Sequence, residues 1–158
     1  GGYAVSRGDA LEGGGGRLAE WTMGADRPGS SRLDVVIGAE NLIASVSAML
    51  DGRWGYLAGI TGLDLGVQAG QFEVLYHFCA GAAVLTLRVR TPRDHAVVPS
   101  ICTVLPSAIF YERELREMLG VEVTGLTNTD HLFLPDDWRE GVYPLRKDAV
   151  LDQGETRQ

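Results

Sequence analysis

The chain has 158 residues, 45% of them hydrophobic, which supplies one core and a single ordinary globular domain. Its formal charge of −7 works against nucleic acid, whose phosphates must be neutralised by Lys and Arg, and against an anionic membrane surface. No apolar run approaches the roughly 20 residues that cross a bilayer, and two cysteines, Cys79 and Cys102, are too few for a metal knuckle. No secretory signal pattern opens the chain, so a cytosolic protein without structural disulfides or membrane insertion is expected.

Nine of the first thirty residues are glycine, with four in a row at Gly13–Gly16. No Lys-Ser/Thr follows them and no buried strand precedes them, so neither phosphate-cradling loop is present. Residues 1–31 are therefore expected to be flexible, with Leu18-Ala19-Glu20-Trp21 as a local anchor. The ordered domain is expected over 32–148, and 149–158 as a disordered tail. Leu33 to Ile37 is a short strand, and Ala39 to Leu50 a helix whose stripe is Leu42, Ile43, Val46, Met49 and Leu50. Trp54 to Leu65 reads as a strand interrupted by Gly55, Gly59 and Gly62. Gln71 to Cys79 alternates Phe72, Val74, Tyr76 and Phe78 against Glu73, Leu75, His77 and Cys79. Gly81 turns the chain into Ala83–Thr91, with Leu85, Leu87 and Val89 inward and Thr86, Arg88 and Arg90 outward. A short helix over Val97–Val104 and a short strand over Val121–Thr124 complete the pattern. The order predicts an α+β fold of two layers, a mainly antiparallel or mixed sheet with helices packed on one face.

Two stretches near the C-terminus stand out. Pro106, Ser107 as N-cap and Gly120 as C′ residue punctuate a helix over 107–119. Its apolar stripe is Ala108, Tyr111, Leu115, Met118 and Leu119. Glu112–Arg116 and Arg113–Glu117 are opposite charges four apart, each worth about 0.3–0.5 kcal/mol on an exposed helix. From Leu134 to Asp148 neither helical nor strand periodicity holds, yet Trp138, Val142, Tyr143 and Leu145 are large and apolar. An extended strap follows, laid over its own domain or over a partner, and mobile beyond about Leu145.

Few residues carry chemistry. His77 and Cys79 share one strand face, which permits a Cys–His pair, but no orienting group or oxyanion site accompanies it, and Cys79 reads as core. His95 and His131 lie in separate segments, so no metal site is expected. Glu112, Glu114 and Glu117, interleaved with Arg113 and Arg116, form a solvated or partner-facing salt-bridge network. Arg88 and Arg90 make a small basic row suited to an acidic partner.

Glu112-Arg113-Glu114 with Glu117 and Gly120, followed by Tyr143-Pro144-Leu145-Arg146-Lys147-Asp148, resembles the C subunit of respiratory NADH:quinone oxidoreductase. The same subunit type occurs in membrane-bound energy-converting nickel–iron hydrogenases, whose members Leu134-Pro135-Asp136-Asp137-Trp138 and Glu140-Gly141-Val142-Tyr143-Pro144 resemble slightly more. The resemblance covers roughly Trp54 to Asp148. One departure is that Leu126 to His131 stands where the family has Gly-His-Pro and a basic pair. The resemblance implies a cofactor-free docking subunit that binds the large quinone-site or nickel–iron subunit and neighbouring soluble-arm subunits, at the cytoplasmic face of the inner membrane. Glu112, Arg113, Glu114 and Glu117 on the helix and Trp138, Tyr143, Arg146 and Lys147 on the strap are the expected docking residues. An accessory hydrogenase subunit, and a stand-alone enzyme using Cys79 and His77, are the competing readings.

Overall fold

The computed structural model describes residues 7–126 and 143–148, with side chains from Ala10 onward. Leu134 and Trp138 lie outside the described residues. In chain order the elements are α1 (Arg7–Leu18), β1 (Gly24–Gly29), β2 (Arg32–Val36), α2 (Leu42–Asp51), β3 (Tyr56–Asp64), β4 (Gln71–Ala80) and β5 (Ala83–Pro92). They are followed by β6 (Val97–Pro99), α3 (Ile109–Leu119) and β7 (Glu122–Thr124), with short 3-10 turns ahead of α2, β6 and α3. Five strands form one sheet in the order β1-β2-β5-β4-β3, in which only β2 and β5 run parallel. The fold is α+β with a mixed sheet, as the element order predicts.

The alternation in β4 explains the layering. Phe72, Val74, Tyr76 and Phe78 are all fully buried and face the helices. Leu85, Leu87 and Val89 of β5 join them, with Val35 of β2 and Leu57 and Ile60 of β3. Leu42, Val46 and Met49 of α2 and Leu115 and Leu119 of α3 close the core from above. The β4–β5 hairpin turns at Gly81, whose φ of 60° favours glycine at the first central position of a two-residue loop. Helix α3 crosses β3 at Gly62, where a Cβ would stand 2.6 Å from Leu119 and 2.9 Å from Leu115.

Three local expectations are corrected. The segment expected to be flexible contains α1, because Leu11, Gly14, Gly15 and Leu18 recur at helical spacing and make its inner face. Leu11 and Leu18 are fully buried, and the Trp54 indole donates to the Ala10 carbonyl at 2.6 Å. Glycine lets that approach happen: a Cβ on Gly14 would meet Leu85 and the Trp54 ring at 2.8 Å. Second, Val97–Pro99 is a strand rather than part of a helix. Its β-branched pair Val97-Val98 finds a parallel partner in β7, and only a single turn follows, with Leu105 N–H donating to the Ile101 carbonyl. Third, Ser107 does not cap α3. A 3-10 turn over Pro106–Ala108 precedes the helix, and Ala108 occupies the cap position without a side-chain hydrogen bond.

The glycines of α1 should separate cleanly on substitution. Gly13 and Gly16 have open space where a Cβ would stand, so Gly13→Ala and Gly16→Ala should each stabilise by about 0.5–1 kcal/mol. Gly14→Ala should destabilise, because its Cβ must displace Trp54 or Leu85. Urea unfolding of the three variants checks the opposite signs.

Candidate docking surface and its fastenings

Asp64 ends β3 and holds four donors. Its side chain is 1% exposed, and it accepts from Arg93 through Nη2 at 2.6 Å and Nε at 3.0 Å. It also accepts from the Gly66 N–H and, across the chain, from the Lys147 N–H, each at 2.8 Å. The hydrogen-bonded Arg93 guanidinium holds the Asp64 carboxyl far below the usual carboxylate range, against the opposing effect of burial. Arg93 continues to Asp148, with Nη2 at 2.7 Å from Oδ1. That contact in turn lowers the Asp148 pKa.

The described part of the strap, residues 143–148, meets the end of α3 beside this cluster. Gly120 sits at φ 78°, as the C′ position requires, and a Cβ there would also strike Tyr143 and Arg146 within 2.7 Å. The last carbonyls of the helix are taken by the strap: Leu145 N–H donates to Met118 O and Arg146 Nε to Leu119 O, both at 2.7 Å. A cation at a helix C-terminus also faces the negative end of the helix dipole. The Arg146 guanidinium lies 4.5 Å from the Tyr143 ring centroid and 5.1 Å from that of Phe72, and Arg93 lies 5.1 Å from the same Phe72 ring.

The expected docking residues therefore divide. Glu112 is only 1% exposed and does not lie on an open face. Its Oε2 accepts from Ser100 Oγ at 2.6 Å and Cys102 Sγ at 3.2 Å, and its Oε1 from Ile101 N–H at 2.6 Å. This carboxylate fixes the 100–102 loop to the first turn of α3. Arg113 and Glu117 are buried and engaged, so the solvated face expected along this helix is corrected at Glu112, Arg113 and Glu117, which are buried. Glu114 is half-buried. Tyr143 and Arg146 are half-buried against the helix end, and the Lys147 side chain is exposed. The strap is fastened past Leu145, where mobility was expected, because Arg146, Lys147 and Asp148 all have partners on the domain.

The Cys–His pair is not formed. His77 places Nε2 2.9 Å from Thr61 Oγ1 and Nδ1 3.0 Å from Thr86 Oγ1, so both ring nitrogens are occupied by neighbouring strands. Burial and the Arg32 charge push its pKa below the ordinary 6.5. Cys79 is half-buried rather than in the core, because Phe78 beside it takes the inward position. The Cys102 thiol is pushed up, chiefly by burial. Among the described residues no group of three His, Cys, Asp or Glu is placed to hold a metal, and no helix is long and apolar enough to cross a membrane.

Asp64, Arg93 and Phe72 were not found from sequence as site residues. The signal for Asp64 was Asp64-Leu65-Gly66, in which the Asp side chain caps the Gly N–H two residues on. Nothing local marks Arg93, which meets Asp64 from 29 residues away.

Fold and site define an α+β domain whose C-terminal strap is fastened to a buried carboxylate and to the end of its last helix. The chain belongs to the family of the 30 kDa subunit of respiratory-chain NADH dehydrogenase, whose model matches residues 35–155. The NADH-quinone oxidoreductase C subunit of Moorella thermoacetica is 31% identical over 120 residues, which are 74% of this chain and 79% of that protein. Formate hydrogenlyase subunit 5 of Escherichia coli K12 is 31% identical over 122 residues, 75% of this chain but 21% of that protein. The chain thus spans well under two thirds of the length of some curated relatives, 57% for the corresponding C subunit of Roseiflexus castenholzii. A chain in the structure of the membrane-bound sulfane sulfur reductase, an archaeal respiratory membrane complex, has the same fold. It aligns with a TM-score of 0.76 over 92% of this chain and 88% of its own length, at 22% identity.

Two outcomes follow from the buried carboxylates. Because the folded Asp64 pKa lies below its ordinary 3.8, its contribution to stability is present above that value and is lost as pH falls through and below it. Acid unfolding followed between about pH 5 and 2 should therefore be shallower in Asp64→Asn, which should also be less stable at neutral pH. Glu112→Ala should cost about 1–3 kcal/mol in urea unfolding, because the Ile101 N–H is left buried without its acceptor.

Proposed function

We propose that this chain is a structural docking subunit of a membrane-associated redox complex of the NADH:quinone oxidoreductase type. It binds the large quinone-site subunit and neighbouring subunits of the soluble arm, and contributes no cofactor of its own. It sits peripherally, at the cytoplasmic face of the membrane, through its complex. The observation that carries this reading is the family match over residues 35–155, which includes both α3 and the fastened strap. The fastenings give it a physical form: a strap held at a fixed place on the domain presents its outward residues preorganised, so less ordering entropy is lost on association.

The docking contacts on this reading are Glu114, the exposed Lys147, Tyr143 and Trp138, aromatic residues being frequent interface anchors. Glu112, Arg113, Glu117 and Arg146 act by positioning α3 and the strap. A second reading, the equivalent subunit of an energy-converting nickel–iron hydrogenase, is favoured by the 31% identity to formate hydrogenlyase subunit 5.

Co-purification of the tagged full chain from its host separates these. Recovery with flavin- and quinone-module subunits supports the first, recovery with a nickel-ligating subunit the second, and recovery alone contradicts both. Lys147→Glu should leave the melting temperature within about 2 °C, as an exposed substitution does, while lowering partner recovery severalfold.

A further inference from the structure

The two faces of the sheet are used differently. One is covered by the three helices; on the other, no described helix packs. By strand register the open face carries Arg32 and Asp34 of β2, Thr86, Arg88 and Arg90 of β5, Glu73 and Leu75 of β4, and Thr61 and Leu63 of β3. Its charges are layered. The Glu73 and Asp34 side chains are 2% and 7% exposed, whereas those of Arg90 and Arg32 are 56% and 49% exposed.

Arg88 is committed to the layer beneath it, with Nη2 2.6 Å from Glu73 Oε1 and Nη1 3.2 Å from Asp34 Oδ2. Arg90 reaches Glu73 through Nε alone, at 3.2 Å. Its two terminal nitrogens have no hydrogen-bond acceptor among the described residues, which leaves four of the five donors of the planar guanidinium fork open. Leu63 pairs with Glu73 from the other side, so an exposed leucine flanks the same carboxylate that Arg90 covers. Asp26, an exposed carboxylate of this face, lies at the far edge opposite Asp34, with β2 and β5 between it and β4.

A chain of net charge −7 thus presents cationic donors on one sheet face, with the compensating carboxylates sunk beneath them. We propose that the corner formed by Arg90, Arg88 and Leu63 is a second docking surface, and that it takes an acidic stretch of a neighbouring subunit. An Asp or Glu carboxylate occupies the open Arg90 fork, where charge-assisted hydrogen bonds are strongest, and an apolar neighbour rests on Leu63. A single open fork suits one carboxylate; an extended polyanion or an anionic bilayer meets the repulsion of the whole chain. The proposal rests on the docking function above, and it adds a face that neither α3 nor the strap provides.

The test uses the full chain in its host, comparing complex recovered with wild-type, Arg90→Glu and Leu63→Glu protein. Both variants should lower partner recovery about tenfold, more steeply at low salt than at high. Leu63→Glu lies on the exposed edge strand and keeps the result readable if Arg90→Glu, beside buried Glu73, fails to fold. Arg90→Lys then adds a direct readout: a zero-length carbodiimide should join the introduced amine to an Asp or Glu of a neighbouring subunit. Wild-type recovery of Leu63→Glu, or a cross-link from Arg90→Lys only to Glu73 of the same chain, overturns the proposal. So does unchanged complex recovery accompanied by loss of binding to phosphatidylserine vesicles, which would assign the fork to a membrane. Wild-type protein that co-purifies with nothing overturns the docking function itself, and is thereby distinguished from failure of this surface alone.

Discussion

Asp64 is where separate stretches of the chain are tied together. Its carboxylate collects the turn after β3 through Gly66, the turn after β5 through Arg93, and the strap through the Lys147 backbone. A carboxylate that is 1% exposed is tolerable only with its lone pairs filled, and here four donors fill them. The consequence runs outward. Arg93, once pinned, stacks near Phe72 and holds Asp148, and the strap so held brings Arg146 to the final carbonyls of α3. The end of the helix, the edge of the sheet and the strap are thereby a single assembly.

The same device recurs elsewhere in the molecule. Glu112 holds the 100–102 loop, and Glu73 and Asp34 hold the arginines of the open face. In each case a nearly buried carboxylate meets donors supplied by a different segment. Buried ion pairs return little net stability once desolvation is counted, so their effect here lies in fixing relative geometry. Glu112, Arg113 and Glu117, which look like part of a solvated face in the sequence of α3, are instead buried.

Much of the fold was legible because the hydrophobic pattern is strong. The alternation in β4 and β5 gave both strands, their hairpin and their inward faces, and Gly120 marked the end of α3 through its positive φ. What was missed depended on tertiary partners. The five glycines of α1 have poor helix propensity, and only the packing of Leu11 and Leu18 and the Trp54 indole against that helix overrides it. Val97–Pro99 became a strand because β7 lies alongside it, a pairing invisible to local sequence. The motif Tyr143 to Asp148 was legible as special, but its attachment to Asp64 and Arg93 was not, because those residues lie 83 and 55 positions from their partners.

Amide hydrogen exchange of the isolated protein, wild type against Asp64→Asn, tests the fastening most directly. The Leu145 and Lys147 amides donate to Met118 O and to Asp64, so both should be protected in the wild type. Asp64→Asn should release the Lys147 amide while the amides of β4 and β5 keep their protection. Exchange of Leu145 and Lys147 at the rate of an unstructured peptide in the wild-type protein would contradict the account.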